Sequence, residues 1–217
     1  MNLDHALRTT GSARRFVTEE ISDATVHAIL DLARFSPSGG NRQPWKVAVL
    51  KSPEMRNEVA RLVKPVWDEY MTAATEGQRA YNMISYSPPA EIAPFPYELL
   101  DYFDKGVAVL VIAADLREIA VTDLNLDRPP IVAGASIYPF CWSILLAARE
   151  HGLSGVLTTF LSRTEPEAGP ILGLPENFAL AATIVLGRPE KEFTKLTRHP
   201  VETFATIDRF DGPALTA

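Results

Sequence analysis

The sequence reads Pro37-Ser38-Gly39-Gly40-Asn41-Arg42-Gln43-Pro44-Trp45 between a predicted helix and a predicted strand. The two glycines let the backbone approach a flat ligand closely. The Asn41 amide can donate and accept hydrogen bonds along the polar edge of a ring. This stretch therefore predicts a ligand-binding loop at the junction of a helix and a strand, in a fold that mixes both.

The helix before this loop is predicted over residues 22–36. Ser22 is a suitable N-cap, Asp23 favours the first turn, and Pro37 ends the helix. One side carries an apolar stripe, which predicts a buried face. The stripe consists of Val26, Ile29, Leu30 and Ala33.

After the loop, the apolar run 45–50 predicts a strand, and Ser52-Pro53-Glu54 predicts the start of a second helix. Pro65 is predicted to end that helix. Further along, the periodicity predicts strands at 107–114, 155–161 and 179–186, a buried helix at 139–151 with Gly152 at its C-terminal end, and a short helix at 164–172. Helices and strands alternate without regular βαβ units, so an α+β fold is favoured.

Residues 64–103 differ in composition from the rest of the chain. They contain eight of the nineteen aromatic residues and five prolines. Flexible linkers are poor in aromatics, so the segment is interpreted as a lid or pocket wall that packs over a ligand site. The alternative is a loop whose rings pack into the core.

The composition is that of a globular protein: 217 residues, 47% of them hydrophobic and 22% charged, which favours a single domain over 1–217. A net charge of −6 argues against a nucleic-acid partner. The one cysteine, Cys141, excludes an intrachain disulfide and a CxxC site. Prolines and Gly134 interrupt the longest uncharged run, 129–148, so a cytoplasmic protein without membrane contact is expected.

Several kinds of catalytic chemistry lack a sequence signature. The chain has neither a dinucleotide-binding glycine motif nor a P-loop. Its four histidines are scattered without metal-ligand spacing, so no metal site is expected. A chain without a visible nucleophile or carboxylate pair indicates chemistry carried by a bound cofactor.

Two other segments carry arginines suited to an anion. Ser12-Ala13-Arg14-Arg15-Phe16 offers a hydroxyl and two guanidinium groups, which suit a phosphate dianion. Near the C-terminus, Gly187-Arg188-Pro189 is followed by Arg198. Together with the loop at 37–45, these segments resemble the FMN-dependent nitroreductase family over residues 8–210. The segment 152–158, Gly-Leu-Ser-Gly-Val-Leu-Thr, resembles the family's stretch whose backbone faces flavin N5.

The resemblance implies a fold and a set of site residues. The fold is α+β, with a central, mostly antiparallel sheet flanked by helices, in an intertwined homodimer. Backbone N–H groups around Gly155 and Val156 would face the flavin, and no side chain is assigned a catalytic role. The implied cofactor-binding residues are Ser12, Arg14, Arg15, Ser38, Gly39, Asn41, Ser136, Ile137, Gly155, Val156 and Arg198, and the lid residues are Tyr81, Tyr86 and Phe95.

Within this set, Ser12, Arg14 and Arg198 would bind the FMN phosphate and Asn41 the flavin edge. The loop containing Ser136 and Ile137 would reach FMN bound mainly by the partner protomer. Thr10 occupies a position where the family often has arginine, and Arg8 and Arg15 are the two candidates to replace that charge.

The implied activity is that of an NAD(P)H oxidoreductase with a ping-pong mechanism, in which FMN accepts a hydride and then reduces a nitroaromatic, a quinone or a related electron-poor acceptor. NADP(H) and NAD(H) are both possible donors. Two alternatives stay open: a specialised flavin reaction such as reductive dehalogenation, and flavin sequestration without turnover.

Overall fold

A central antiparallel sheet organises the computed structural model, which describes residues 2–103, 105 and 107–217. Its strand order is β1-β2-β4-β3. The strands are β1 Trp45–Leu50, β2 Ala108–Asp115, β3 Ser154–Thr158 and β4 Phe178–Gly187. The α+β class and the antiparallel sheet are therefore confirmed.

Both faces of the sheet are covered, and β2 shows why. Its side chains alternate between two hydrophobic clusters, as the two-residue period of a strand requires. Val109, Val111 and Ala113 belong to one cluster. Leu110 and Ile112 belong to the other, so no residue from 108 to 114 faces solvent.

Five α-helices flank the sheet within the described residues. They are α1 Leu3–Thr9, α2 Asp23–Ala33, α3 Pro53–Thr75, α4 Tyr138–Glu150 and α5 Glu165–Leu172. The Ser22 hydroxyl caps α2 by accepting from the Thr25 N–H, as predicted. No helix among the described residues is long and apolar enough to cross a bilayer.

The end of α4 follows the predicted glycine signal. Gly152 has φ of 67°, a left-handed conformation that glycine adopts without strain. The Leu153 N–H donates to the Ala148 carbonyl at 3.0 Å, and the Gly152 N–H donates to the Arg149 carbonyl at 3.1 Å. These two bonds form a Schellman motif, which turns the chain directly into β3.

The prediction that Pro65 ends the second helix is wrong, because α3 continues to Thr75. The missing N–H of Pro65 leaves only the carbonyl of the exposed Arg61 without its helical partner. The apolar stripe continues on both sides of Pro65, with Val63 and Val66 both buried. Burial of this stripe outweighs the local cost of the proline.

Two further predictions need correction. The helix α1 was not predicted from the sequence, and β3 ends at Thr158 rather than at residue 161. A 3₁₀ turn, Phe160–Thr164, follows β3 and redirects the chain into α5. The apolar run that predicted a longer strand is explained by Leu161, which is buried from within the turn.

Residues 64–103 combine both interpretations given above. Their first part belongs to α3, and their last part contributes Tyr97, Leu99 and Phe103 to the core. The Trp67 and Tyr97 rings stack with centroids 4.2 Å apart, which ties the two parts together. Between them, residues 76–96 form an irregular excursion that includes Tyr81 and Tyr86.

Candidate functional site

The loop at 37–45 has an unusual backbone. Gly40, Asn41 and Gln43 all have positive φ, at 62°, 55° and 51°. Left-handed conformations are uncommon in residues other than glycine, and they persist where surrounding contacts fix them. One such contact joins the Gln43 N–H to the Ser38 hydroxyl at 3.0 Å. The Ser38 hydroxyl therefore closes the loop, while the Asn41 side chain stays exposed.

Contacts with the start of α4 hold this loop in place. The Gly39 N–H donates to the Ser136 hydroxyl at 3.0 Å. The Trp45 ring stacks on Phe140, with centroids 4.5 Å apart and 4° between the planes. We call Ser38, Gly39, Asn41 and Ser136 the loop cluster. Ile137 is 1% exposed, so its side chain belongs to the core beneath the cluster.

The segment 12–16 lies along the opposite edge of the sheet. Ser12 forms a parallel bridge with Gly155, and the Ala13 N–H donates to the Gly155 carbonyl at 3.0 Å. Phe16 packs over Gly187, where a Cβ atom would lie 2.5 Å from the Phe16 ring. The absence of a side chain at Gly187 therefore allows the segment to seat against the end of β4.

The adjacent arginines of this segment have different surroundings. Arg15 forms a bidentate pair with Glu98, with both N–O distances at 2.7 Å. Arg14 is exposed, and among the described residues its guanidinium donates only to the Ser12 carbonyl, at 3.3 Å. Its charge lies near Tyr97 and partly offsets the burial that raises the pKa of Tyr97 to about 12.

The irregular segment after β4 lies opposite Arg14. A cleft of about 610 Å³ is lined by Ala13, Arg14 and Arg15 on one side and by residues 190–195, which include Glu190 and Glu192, on the other. The Leu196 N–H donates to the Arg8 carbonyl at 3.1 Å, and Arg198 follows two residues later. We call Ser12, Arg14, Lys195 and Arg198 the arginine cluster. Within the described part of the chain, no carboxylate pairs with its three cations.

Thr10, which occupies a position where the family often has arginine, has a structural role in this protein. It is buried, and its hydroxyl donates to the Ala6 carbonyl at 2.7 Å, closing the end of α1. Arg8 pairs with Asp4 at 2.7 Å and Arg15 pairs with Glu98, so both candidate replacements are engaged by carboxylates. Lys191 and Lys195, neither of which was predicted as a site residue, are additional cations that line the cleft.

The two clusters lie far apart within one chain. The loop cluster contacts the start of α4, whereas the Ser12–Gly155 bridge lies beyond the end of this helix. The thirteen residues of α4 span about 20 Å, and this length separates the two clusters. The strand register gives a consistent result. Trp45 and Gly155 are on opposite edges of the sheet, about 14 Å apart across the strands and about 23 Å along them.

The expectation for Gly155 and Val156 needs correction. Both residues are buried within the sheet, between β4 and the segment at 12–13. A Cβ atom on Gly155 would lie 2.4 Å from the Val185 carbonyl oxygen, so this glycine serves close strand packing. Their backbone therefore cannot face a flat ligand. Exposure increases further along the chain: Leu157, Thr158 and Phe160 are half-buried and Thr159 is exposed.

An aromatic cleft of about 590 Å³ lies at this end of β3. Two of the three predicted lid residues, Tyr81 and Tyr86, line it. Phe95 does not: it is half-buried, and its N–H donates to Asp68 at 2.8 Å. The sequence analysis missed the other principal lining residues, because they come from α4 and from the turn after β3. These are Tyr138, Thr159, Phe160, Ser162 and Arg163.

Neighbouring residues link the aromatic cleft to both clusters. Tyr138, two residues after Ser136, connects it to the loop cluster. On the other side, Trp67 contacts both Phe160 and Tyr97, and Tyr97 lies near Arg14. Within the cleft, the Tyr86 hydroxyl donates to Glu69 at 2.6 Å. Burial and this carboxylate raise the pKa of Tyr86 to about 12, so the Tyr86 hydroxyl keeps its proton at neutral pH.

Residues 7–188 match the model of the nitroreductase family, a span that includes the loop cluster, β3 and the arginines at 14 and 15. The chain belongs to the nitroreductase family. The resemblance inferred from residues 12–16 and 37–45 is thereby confirmed, and so is the α+β fold with a central antiparallel sheet that it implied.

Relatives of this nitroreductase-family chain have several activities in their names. It is 25% identical to a nitrobenzene nitroreductase of Ectopseudomonas oleovorans, over 94% of this chain and 96% of the relative. It is 22% identical to an iodotyrosine deiodinase of Nematostella vectensis, over 93% of this chain and 73% of the relative. Among solved structures, an NADPH:FMN oxidoreductase of Vibrio harveyi complexed with NAD⁺ aligns with a TM-score of 0.68 at 19% identity, covering 95% of this chain and 76% of that chain.

Proposed function

We propose that this chain is an FMN-dependent NAD(P)H oxidoreductase that reduces nitroaromatics, quinones or related electron-poor acceptors. The observation that carries the proposal is the arginine cluster: Arg14 and Lys195, which pair with no carboxylate among the described residues, line a cleft that can receive a phosphate, and Arg198 follows three residues after Lys195. Family membership and the names of the relatives support the same activity.

The residues present fit an FMN cofactor. Arg14, Lys195 and Arg198 offer charge-assisted hydrogen bonds to the phosphate, and the exposed Ser12 adds a hydroxyl. The exposed Asn41 amide offers a donor and an acceptor to the ring edge. Arg15 is not assigned to the phosphate, because Glu98 engages it.

Bound FMN supplies the hydride chemistry that no side chain of this protein provides. The chain's own residues bind the phosphate, orient the ring and form the acceptor site. Tyr81, Tyr86 and Phe160 give the aromatic cleft walls on which a flat acceptor can stack. For a nitroaromatic, the net two-electron reaction is ArNO₂ + NAD(P)H + H⁺ → ArNO + NAD(P)⁺ + H₂O.

We further propose that one FMN is bound by two protomers of a homodimer. The arginine cluster and the loop cluster are about 20 Å apart along α4, too far for both to contact one FMN in a single chain. A two-fold symmetric dimer would bring the loop cluster of one protomer to the arginine cluster of its partner. The single, fully buried Cys141 fits a reducing compartment, and we propose a cytoplasmic location.

The experiment is spectroscopic. We expect the purified protein, loaded with FMN, to be yellow, to bleach when NADPH or NADH is added without oxygen, and to regain colour with nitrobenzene or a quinone. A protein that gains no flavin absorbance with added FMN would refute the proposal. Bleaching without recovery in the presence of any acceptor would instead favour flavin sequestration.

The deiodinase relative favours one second candidate, reductive dehalogenation of a halogenated phenol. The same anaerobic assay distinguishes dehalogenation from nitroreduction. With a halophenol as the acceptor, a dehalogenase would release free halide in proportion to the NAD(P)H consumed. Halide release faster than nitroaromatic reduction would make dehalogenation the main activity.

A further inference from the structure

The aromatic cleft contains a single kind of charge. Among the described residues that line it, Arg163 alone carries a formal charge, and its side chain is 57% exposed. The other lining groups are apolar, aromatic or neutral polar. Flat walls beside one planar guanidinium favour a flat ligand that carries a negative charge.

Arg163 keeps its hydrogen-bond donors available. Its nearest carboxylate, Glu69, lies 3.9 Å away, which is beyond hydrogen-bond range. Glu69 is 13% exposed and already accepts from the Tyr86 hydroxyl at 2.6 Å. Among the described residues, none accepts a hydrogen bond from Arg163. Glu69 therefore forms a long ion pair with the guanidinium, competes with a bound anion through its charge, and leaves the hydrogen-bond donors of Arg163 unoccupied.

The rings beside Arg163 are fixed before any ligand binds. The Arg163 guanidinium lies 5.6 Å from the centroid of Tyr81. Tyr81 has φ of 58°, a strained conformation for a bulky residue, and its hydroxyl donates to the Val66 carbonyl at 3.1 Å. The Tyr81 and Tyr86 rings pack against each other with centroids 5.0 Å apart. A preorganised wall of this kind reduces the entropy lost on binding a flat ligand.

We propose that Arg163 binds the carboxylate of an aromatic acid, so that this enzyme prefers nitroaromatic carboxylates over neutral nitroaromatics of the same shape. The inference rests on the proposed function, because it takes the aromatic cleft as the acceptor site. Arg163 donates to the carboxylate, and Tyr81 and Phe160 contact the acceptor ring.

The test compares two acceptors that differ in charge but little in shape, 4-nitrobenzoate and methyl 4-nitrobenzoate. The measured quantity is the ratio of their kcat/KM values with NADPH and FMN-loaded protein. Arg163→Gln should lower the acid-to-ester ratio about tenfold, because one charge-assisted contact is lost. Arg163→Lys should keep the ratio within about threefold of wild type, because the positive charge remains.

Two further variants sharpen the test. Glu69→Gln is isosteric and removes the competing negative charge, so the ratio should rise about threefold. Arg61→Gln is the matched control: Arg61 is an exposed arginine of α3 that pairs with Glu58 at 3.0 Å and does not line the cleft, so the ratio should not change.

The outcomes separate the two claims. If wild type reduces both acceptors but Arg163→Gln leaves the ratio unchanged, the carboxylate site is wrong and the proposed function stands. If wild type reduces neither these nor any other acceptor, the proposed function fails and this inference fails with it. Should Arg163→Gln not load FMN, Glu69→Gln decides: a ratio that stays constant or falls overturns the inference.

Discussion

Arg14 and Arg15 are neighbours in sequence, yet the structure gives them separate roles. Glu98 neutralises Arg15 through two short hydrogen bonds, whereas Arg14 has no carboxylate partner within the described residues. A phosphate competes poorly for a guanidinium that is already paired in bidentate geometry. The difference between these arginines therefore tests the phosphate site.

We expect Arg14→Gln to weaken FMN binding about 10- to 100-fold, because a charge-assisted contact with the phosphate is lost. Arg15→Gln is the matched control and should change the dissociation constant less than about threefold. Both values follow from quenching of FMN fluorescence during titration. A larger effect from Arg15→Gln would reverse the assignment of the two arginines.

Cys141 is expected to be unreactive in the folded protein. It lies on the buried face of α4 with no exposed surface, and burial raises its pKa to about 12. Thiolate is the reactive form, so a disulfide reagent at pH 8 should label native protein at least about 100-fold more slowly than protein unfolded in guanidinium. Rapid, stoichiometric labelling of the native protein would show that this core is not closed.

The same burial predicts how stability depends on alkaline pH. The folded state retains the Cys141 proton, whereas an unfolded chain releases it above about pH 8.5. The unfolded state then binds fewer protons, so the free energy of unfolding should decrease as pH rises beyond that value. Cys141→Ala should reduce this slope in denaturant titrations between pH 8 and 10. An identical slope in both proteins would assign it to other groups.

At the scale of single residues, the sequence indicated the binding loop and the arginines but not their surroundings. The glycines and Asn41 of the loop carry a local pattern that can be read directly. The pairing of Arg15 with Glu98 joins positions 83 residues apart, and nothing near either residue signals it. The sequence around Arg163 likewise gives no sign of a binding role. Its position beside the aromatic cleft depends on the 3₁₀ turn after β3.

At the scale of elements, α3 shows how packing overrides a local signal. A proline inside a helix removes one hydrogen bond and crowds the preceding turn. The stripe of Val59, Leu62 and Val66 is buried before and after Pro65, so the helix continues. The part of the stripe before Pro65 can be identified from the sequence. Continuation of the helix beyond Pro65 depends on the burial of Val66 in the core, which only the structure shows.

Pro65→Ala should therefore stabilise the protein. Alanine restores the hydrogen bond to the Arg61 carbonyl and relieves crowding, with an expected gain of about 1–2 kcal/mol after allowing for the freer unfolded chain. That corresponds to a rise in Tm of about 2–4 °C per kcal/mol for a chain of this size. Pro53→Ala is the control, because proline is favoured at the first turn of a helix, and it should not raise Tm. A lower Tm for Pro65→Ala would show that α3 needs the proline for its course.

At the scale of the whole molecule, the sequence indicated which residues form the site but not where they lie. The loop cluster precedes β1, and the arginine cluster borders β3, and these strands are the two edges of the sheet. The separation of the two clusters follows from the strand order, β1-β2-β4-β3, which the sequence alone does not show. Large apolar side chains are also exposed, including Phe35 at 72% and Phe204 at 71%, as expected for surfaces that a partner protomer covers.

A mixing experiment tests the shared site directly. Arg14→Gln damages the arginine cluster and Asn41→Ala damages the loop cluster, so each homodimer should bind FMN weakly at both of its sites. In a heterodimer of the two variants, one site would receive both defects and the other would receive neither. Refolding an equal mixture should therefore restore about one site in four to wild-type affinity, because about half of the dimers would be mixed.

The readout is the number of tight FMN sites per chain and NADPH-dependent turnover at an FMN concentration that saturates only those sites. Refolding each variant alone controls for recovery during the procedure. If both clusters of one chain bound the same FMN, every site would carry one defect, in homodimers and heterodimers alike. Mixing the variants would then restore no tight FMN sites. Restoration near one site in four would thus require that Arg14 and Asn41 reach the same FMN from different protomers.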